Sequence, residues 1–319
     1  MWNKDRLKDI IKEGAERPEG PAQINHGTGA MEGLIIKGIG GFYYVSTEGG
    51  VVECKAKGIF RLRNVTPMVG DKVVIEVERD SNVISEILPR SSELERPMVA
   101  NVTQAFVVSA MRNPDINEEL LMKFIVMLEK SNITPVLVFN KIDLSYHGQM
   151  EELTDLFMGT GYRLLFIGAR EGRDFDIILR ELTGNITVFC GPSGAGKSTM
   201  LNRILGTEHM ETGVISERLR RGKHTTRHSE LVKVNDGFVV DTPGFSSIEL
   251  SMETEELKDY FPEFREHEGN CRFTGCSHNK EPGCSVKESV GKTISEKRYN
   301  YYLRFLNELM EVNKKKWSR

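Results

Sequence analysis

A glycine-rich segment that directly follows a short apolar run restricts the architecture of this chain more strongly than its composition does. The apolar run, Ile186–Cys190, is typical of a buried strand, and residues 191–199 continue it with the pattern G-x-x-x-x-G-K-S. In such a strand–loop–helix unit, glycines let backbone N–H groups surround phosphate oxygens, and the helix N-terminus adds its positive dipole. We therefore predict a phosphate-binding loop made of Gly191, Pro192, Ser193, Gly194, Ala195, Gly196, Lys197, Ser198 and Thr199.

Lys197 and Ser198 are the two residues of this loop whose side chains are predicted to bind phosphate and metal. A lysine at this place reaches the β- and γ-phosphates of a nucleotide, and the following serine hydroxyl binds Mg²⁺. The alternative for the same pattern is a glycine-rich turn that holds no ligand. We expect a nucleotide site because the loop follows a predicted strand and precedes a predicted helix.

A second motif indicates which base the nucleotide carries. Asn140, Lys141 and Asp143 form the pattern N-K-x-D directly after the run Thr134–Phe139, which predicts a strand. The Asp143 carboxylate can accept hydrogen bonds from N1–H and the N2 amine of guanine, whereas adenine would leave it unpaired. Asn140 and the stem of Lys141 are expected to support the loop and cover the base. The motif favours GTP, and an ATP-dependent kinase or ATPase is the alternative.

A third motif completes the predicted site. Asp241 and Gly244 form the pattern D-x-x-G at the end of the predicted strand Phe238–Asp241. The carboxylate would hold a Mg²⁺-bound water, and the Gly244 N–H would bond to the γ-phosphate. Thr225 and Thr226 are both candidates to complete the Mg²⁺ shell, with Thr226 preferred. The alternatives are an ordinary strand followed by a turn, and a solvated basic loop around the threonines.

The residue after D-x-x-G is Phe245, whose ring cannot hydrogen-bond to an attacking water. Phosphoryl transfer depends mostly on positioning and charge stabilisation. The isolated chain is therefore expected to hydrolyse nucleotide slowly until a partner completes the site. His224 is a candidate to orient the water, and its alternatives are a loop histidine or an RNA contact.

The order of the three motifs predicts a circular permutation. GTPases usually run from the phosphate loop through D-x-x-G to N-K-x-D, but here N-K-x-D comes first. Alternating patterns still predict a doubly wound α/β sheet, and permutation costs little because domain termini often lie close together. The predicted strands are Val102–Ser109, Thr134–Phe139, Tyr162–Ile167, Ile186–Cys190, Glu230–Val234 and Phe238–Asp241, and the predicted helices are Asn117–Lys130, Gln149–Phe157, Asp174–Leu182 and Lys197–Leu205.

Four residues of metal-binding type cluster near the C-terminus. Cys271, Cys276, His278 and Cys284 offer three thiolates and one imidazole. This set suits one closed, tetrahedral, structural Zn²⁺ site, which leaves no position for a water. Unpaired cysteines or disulfides are the alternative. The segment Thr293–Lys314 has apolar residues at helical spacing and predicts a C-terminal helix.

Five short, partly alternating runs precede the α/β region. They are Glu32–Lys37, Phe42–Ser46, Val51–Lys57, Lys72–Glu78 and Val83–Leu88. Five such strands predict a small β-barrel of OB-fold type, a fold that often binds nucleic acid. The predicted organisation is an extension or linker at 1–30, the barrel at 31–92, the circularly permuted GTPase domain at 93–252, and a mostly helical zinc-binding domain with the C-terminal helix at 253–319.

Composition limits the expected partners and location. The net charge is −3 over 319 residues, so any RNA contact must use local basic patches. No apolar run approaches the ~20 residues that cross a bilayer, so we expect no membrane partner. Five cysteines without a secretory segment predict a cytoplasmic location, where Cys54 and Cys190 are buried small hydrophobes. We expect a monomer.

The motif order combined with the cysteine–histidine cluster resembles the RsgA family of ribosome small-subunit-dependent GTPases, from Met31 onward. The resemblance implies binding of GTP and GDP, action on the small ribosomal subunit and its rRNA late in assembly, and faster hydrolysis on that subunit. One departure is Gly168-Ala169, where GTPases often have Ser-Ala; the Ala169 amide can still reach the guanine carbonyl. The alternative function is an RNA-binding scaffold that uses guanine nucleotide only as a structural ligand.

Overall fold

The computed structural model describes residues 30–78, 81–205, 229–240 and 250–317. The strands are β1 Ala30–Ile39, β2 Phe42–Thr47, β3 Gly50–Ala56, β4 Lys72–Glu78, β5 Ser81–Ile87, β6 Glu93–Glu95, β7 Met98–Ala100, β8 Gln104–Ala110, β9 Thr134–Asn140, β10 Arg163–Ile167, β11 Ile186–Cys190, β12 Leu231–Val234 and β13 Gly237–Val240. The helices are α1 Ile59–Leu62, α2 Glu118–Lys130, α3 Gln149–Leu156, α4 Phe175–Leu182, α5 Lys197–Ile204, α6 Arg265–Glu268, α7 Ser285–Ser289 and α8 Glu296–Trp317, with short 3₁₀ helices at Ile142–Leu144, Leu257–Tyr260 and Pro262–Phe264. Within these ranges, each helix is too short or too polar to cross a lipid bilayer.

Strands β1 to β5 close a barrel in the order β1-β2-β3-β5-β4, in which β1 pairs with both β2 and β4. Alternation along the strands places Ile35 and Val45 inside the barrel, where both are fully buried. Gly33 permits the closure, because a Cβ there would lie 2.5 Å from Val45 Cγ1 and 2.8 Å from the Ser46 carbonyl oxygen. The predicted five-stranded barrel is confirmed.

The central sheet has the order β10-β9-β8-β11-β13-β12, and only the β12–β13 pair among these neighbours is antiparallel. Strands β8, β9 and β11 are almost entirely buried, as expected for parallel strands covered on both faces. The chain moves outward from β8 to β10 and returns to β11 on the other side of β8. The loops after β8 and β11 therefore meet at a topological switch point, where α/β sheets bind ligands. The six strands and four helices predicted for this region are confirmed, with small differences at their ends.

Alternate residues of β8 enter two different apolar clusters. Ala105 and Val107 belong to a cluster that includes α2 and α3 and continues into both the barrel and the C-terminal lobe. Phe106 and Val108 belong to a second cluster, on the opposite face, together with α4 and α5. The described parts of the barrel, the sheet and the C-terminal lobe therefore share one continuous core.

The long helix α8 begins slightly later than its sequence pattern predicts. The pattern places the start at Thr293, whereas the helix starts at Glu296. The reason is an N-cap, because Ser295 Oγ accepts a hydrogen bond from the Arg298 amide at 3.5 Å. At its other end the helix backbone continues to Trp317, so most of the basic run near the C-terminus is helical.

Candidate nucleotide-binding and zinc sites

The predicted phosphate loop leaves the carboxyl end of β11 in the middle of the sheet. Three of its glycines have positive φ angles: 128° at Gly191, 78° at Gly194 and 101° at Gly196. A Cβ on Gly191 would also lie 2.1 Å from the Val108 carbonyl oxygen of β8. Glycine is therefore needed for the tight curvature that lets successive N–H groups face an anion. Ser193 is exposed at the outer side of the loop.

Lys197 is a partly buried cation at the start of α5. Its Nζ donates to the carbonyl oxygens of Gly191 and Pro192, each at 2.7 Å. Burial lowers the pKa of Lys197, and no carboxylate of the described residues forms an ion pair with it. Because a desolvated cation without a counter-charge is costly, the loop fits a phosphate group. Ser198 and Thr199 follow in the first turn of α5 and are half-buried.

Asn140 joins the predicted guanine motif to the phosphate loop. Its side chain is buried; Nδ2 donates to the Ala195 carbonyl at 2.9 Å, and Oδ1 accepts from the Ala169 amide at 3.0 Å. A Cβ at Gly196 would lie 2.1 Å from Asn140 Nδ2, so this contact requires glycine there. One side chain therefore connects three loops that are far apart in sequence. If the Ala169 amide donates to guanine O6, it must give up its hydrogen bond to Asn140 Oδ1, because the single N–H then points at the base oxygen.

Lys141 and Asp143 lie at the carboxyl end of β9, beside Asn140. Lys141 has a left-handed φ of 61°, and its Nζ donates to the Asn113 carbonyl in the loop after β8. Asp143 lies on the 3₁₀ helix Ile142–Leu144 and is exposed. Its carboxylate is accessible to a base that enters at this edge of the sheet.

Several predicted catalytic and switch residues fall outside the described residues. They are His224, Thr225, Thr226, Asp241, Gly244 and Phe245. The flanking strands are described: β12 begins at Leu231, and β13 ends at Val240 and pairs in parallel with β11. The D-x-x-G motif therefore follows a strand that neighbours the strand of the phosphate loop.

The four predicted zinc ligands lie together in the C-terminal lobe. Donor atoms of Cys271, Cys276, His278 and Cys284 all lie within 4.8 Å of one another. Cys271 Sγ is 3.9 Å from Cys284 Sγ, and His278 Nδ1 is 3.7 Å and 3.4 Å from these two sulfurs. Tetrahedral Zn²⁺ would require S–S separations of about 3.8 Å and S–N separations of about 3.6 Å, so the donor set fits the ion.

Acidic residues around this cluster orient its ligands. His278 Nε2 lies 2.9 Å from Glu268 Oε1, which leaves Nδ1 facing the thiols. Glu281 accepts hydrogen bonds from the backbone N–H groups of Ser277 at 2.8 Å and Asn279 at 2.9 Å. Sequence reasoning missed both glutamates, because acidic side chains are common near loops. The available signal was their position within a few residues of predicted ligands.

The parallel sheet, the phosphate loop at its switch point and the displaced order of the guanine motif define the class of circularly permuted P-loop GTPases. Residues 87–251 match the family model RsgA GTPase, and residues 32–84 match the family model RsgA N-terminal domain. The chain belongs to the RsgA GTPase family, and it is a GTP hydrolase. Membership of a GTPase family favours an enzyme over an RNA-binding scaffold that only holds nucleotide. It also favours GTP over ATP as the substrate.

Relatives match the chain over most of its length. The Small ribosomal subunit biogenesis GTPase RsgA of Clostridium novyi (strain NT) is 53% identical over 291 residues, which cover 90% of this chain and 100% of that protein. The protein of the same name from Clostridium kluyveri (strain NBRC 12016) is 53% identical over 286 residues, 89% of this chain and 100% of that protein.

Solved structures show the same arrangement. The crystal structure of YloQ, a circularly permuted GTPase, superposes with a TM-score of 0.77 at 35% identity and covers 91% of this chain and 99% of that chain. The crystal structure of YjeQ from Thermotoga maritima has a TM-score of 0.76 at 34% identity, with 88% of this chain and 99% of that chain covered. The fold predicted from the motif order is therefore confirmed.

Proposed function

We propose that this GTPase acts on the small ribosomal subunit and its rRNA during late assembly, that the subunit stimulates hydrolysis, and that hydrolysis is coupled to release. The main support is the full-length similarity to proteins named for small ribosomal subunit biogenesis, at 53% identity. A local feature agrees with an RNA partner: Lys55 Nζ lies 5.1 Å from the ring centroid of Phe42 on the barrel surface. Paired basic and aromatic side chains are typical of single-stranded nucleic-acid surfaces.

In the proposed reaction, water attacks the γ-phosphate of GTP and yields GDP and phosphate. The backbone amides of residues 191–199 surround the phosphates, and the Lys197 ammonium stabilises their charge. Mg²⁺, when bound, supplies further charge neutralisation at the phosphates. Ser198 and Thr226 are the proposed Mg²⁺ ligands, and Asp241 would accept from a Mg²⁺-bound water. The Gly244 amide would donate to the γ-phosphate, and His224 would orient the attacking water.

The proposed guanine contacts come from two loops. Asp143 accepts from N1–H and the N2 amine of the base, and the Ala169 amide donates to O6. Asn140 keeps its loop against the phosphate loop through the bond of Nδ2 to the Ala195 carbonyl, while O6 replaces Asn140 Oδ1 as acceptor for the Ala169 amide. The Lys141 stem covers the base. The support for these roles is the convergence of the motifs at one edge of the sheet.

We further propose that the cysteine–histidine cluster binds one structural Zn²⁺, and that the protein is a cytoplasmic monomer. The domain boundaries that we propose are 31–92 for the barrel, 93–252 for the GTPase domain and 253–319 for the zinc-binding domain, with an extension or linker at 1–30.

GTP turnover with and without purified small ribosomal subunits tests the proposal. We expect slow hydrolysis by the free protein and an increase on the order of 10²-fold with small subunits, because a partner completes the positioning of water. Large subunits serve as the control and should leave the rate unchanged. If small subunits leave the GTP rate unchanged, the proposed stimulation is wrong.

The variant Asp143→Asn tests the base assignment in the same assay. Exchanging the carboxylate for an amide should weaken GTP binding by about 10²-fold and improve binding of xanthosine triphosphate, whose C2 oxygen can accept from the new amide. Unchanged preference for GTP would contradict the proposed role of Asp143.

A further inference from the structure

The loop that follows β10 has a fixed backbone without the serine that is common at its start. Gly168 N donates to the Arg173 carbonyl at 3.1 Å, and the amides of Arg173 and Gly172 donate to the Gly168 carbonyl at 3.0 and 2.8 Å. These three bonds close a short turn around Ala169 and Arg170. The turn contains the Ala169 amide, which is the donor proposed above for guanine O6.

Arg203, near the end of the phosphate-loop helix α5, contacts the carbonyl groups of this turn. Its Nη1 donates to the Ala169 carbonyl at 3.2 Å and to the Arg170 carbonyl at 3.3 Å. Its guanidinium lies 5.3 Å from the centroid of the Phe175 ring, and Phe175 is fully buried. Two carbonyls and one aromatic face therefore fix the orientation of the guanidinium.

Arg203 is partly buried and packs closely against Gly172. A Cβ on Gly172 would lie 2.0 Å from Arg203 Nη2, and the φ of +77° at Gly172 also favours glycine. Arg203 Nε is buried, and no group in the described parts of the chain accepts a hydrogen bond from it. Burial lowers the pKa of Arg203, so holding a guanidinium here has an energetic cost. The bonds to two loop carbonyls and the glycine required beside the guanidinium together indicate a role in holding the turn.

We propose that Arg203 is a positioning residue that, through the carbonyls of Ala169 and Arg170, fixes the turn from which the Ala169 N–H faces guanine O6. The inference rests on the proposed guanine site. It assigns to Arg203 the stabilisation of the loop at Gly168–Ala169, where a serine hydroxyl is missing. The Ala169 amide donates to Asn140 Oδ1, an acceptor that guanine O6 would replace, whereas the bond from Arg203 to the Ala169 carbonyl does not compete with the base. Because Arg203 and Lys197 belong to the same helix, the base loop and the phosphate loop are held by one rigid element.

Binding of two nucleotides separates this role from a general structural one. GDP has the O6 atom, whereas 2-aminopurine riboside diphosphate lacks O6 and the N1–H but keeps the N2 amine that Asp143 recognises. The comparison therefore uses the change in each affinity from wild type to variant, in which the lost N1–H contact cancels. We expect Arg203→Met to weaken GDP binding by about tenfold and to leave the affinity for the 2-aminopurine nucleotide nearly unchanged. Arg203→Lys, which keeps the charge but loses the planar donors, should have a smaller effect in the same direction. Arg180→Met, at an exposed arginine on α4 that pairs with Asp176, is the matched control and should change neither affinity.

A second variant tests the contact without changing Arg203. Gly172→Ala should displace the guanidinium and reproduce the loss of preference for GDP, and it keeps the proposal testable if Arg203→Met does not fold. Its control is Gly161→Ala, which has a similar φ of +73° but no heavy atom within 4 Å of the added Cβ. Equal weakening of both nucleotides, or an unchanged GDP preference, in the folded Arg203 and Gly172 variants would overturn the proposal. If the wild-type protein itself does not prefer GDP over the 2-aminopurine nucleotide, the proposed O6 contact of Ala169 is wrong, and the proposal for Arg203 falls with it.

Discussion

At residue scale, the candidate nucleotide site depends on positions that exclude a side chain. Gly196 combines a φ of +101° with a position against Asn140, so both its backbone and its surroundings favour glycine. Asn140 is in turn the side chain that joins the guanine motif to the phosphate loop. A change at one glycine is therefore transmitted to both halves of the site.

Gly196→Ala tests this dependence. We expect nucleotide affinity to fall by about tenfold or more, because the added Cβ displaces the Asn140 amide and strains the loop. Fluorescent-nucleotide titration measures the change. Gly148→Ala is the control, since Gly148 has a φ of +88° and no heavy atom within 4 Å of the added Cβ. It should cost about 1 kcal/mol of unfolding free energy and leave nucleotide affinity unchanged. Equal nucleotide affinity in the two variants would contradict the role given to Gly196.

At the scale of elements, the C-terminal lobe is held together by two separate features. An aromatic group around α8 includes Phe261, Phe264 and Tyr302, whose rings lie 5.0 to 5.4 Å apart. The zinc ligands form the second feature, and Tyr302 connects the two because its hydroxyl donates to the Ser277 carbonyl at 2.5 Å. Metal loss should therefore loosen the ligand loop more than the helix.

Replacement of single cysteines tests the metal site. We expect Cys271→Ser to reduce the zinc retained after dialysis against a chelator from one ion per chain to near zero, because one of four protein ligands is lost. Glu268→Gln should weaken zinc binding by a smaller factor of about 10, through the orientation of His278.

Cys54→Ser is the matched control for this experiment. Cys54 is buried in the barrel and is not part of the cluster of Cys271, Cys276, His278 and Cys284. This variant should retain one zinc per chain, measured by atomic emission. Full zinc retention by Cys271→Ser would exclude the proposed ligand set.

At the scale of the whole molecule, a buried ion pair of the C-terminal lobe packs against the α/β sheet region. Arg298 Nε and Nη2 donate to the two carboxylate oxygens of Glu263 at 2.5 and 3.2 Å, and both side chains are almost fully buried. The Arg298 guanidinium also lies 5.6 Å from the Phe157 ring and 5.5 Å from the Tyr162 ring, which belong to the α3–β10 region. The Arg298 guanidinium therefore contacts a carboxylate of its own lobe and aromatic rings next to the sheet.

Arg298→Met should destabilise the protein by about 3–5 kcal/mol, because it leaves the Glu263 carboxylate buried without its partner. The double variant Arg298→Met with Glu263→Leu should recover most of this loss, since an apolar pair of similar volume avoids the desolvation cost. Denaturant unfolding of both variants measures the difference. If the double variant is as unstable as the sum of its single variants, the two side chains do not act as a pair.

Local patterns in the sequence predicted most elements and the candidate ligands. Each strand and helix of the α/β region was predictable because alternating and helical apolar spacing reflects which face is buried. The start of α8 was not, because the Ser295 cap competes with a helical pattern that extends to Thr293. The zinc ligands were predictable since their spacing itself is the signal, whereas Glu268 carries no comparable signal.

The sequence by itself determined which chemical groups this protein has, because each motif places its residues within one short strand, loop and turn. Tertiary structure alone decided how those groups meet. The bonds of Asn140 to Ala195, of Arg203 to Ala169 and of Arg298 to Glu263 span 55, 34 and 35 residues of the chain. The physical reason is that such contacts follow from how the elements pack around a shared core, and packing is a property of the whole set of elements rather than of any local pattern.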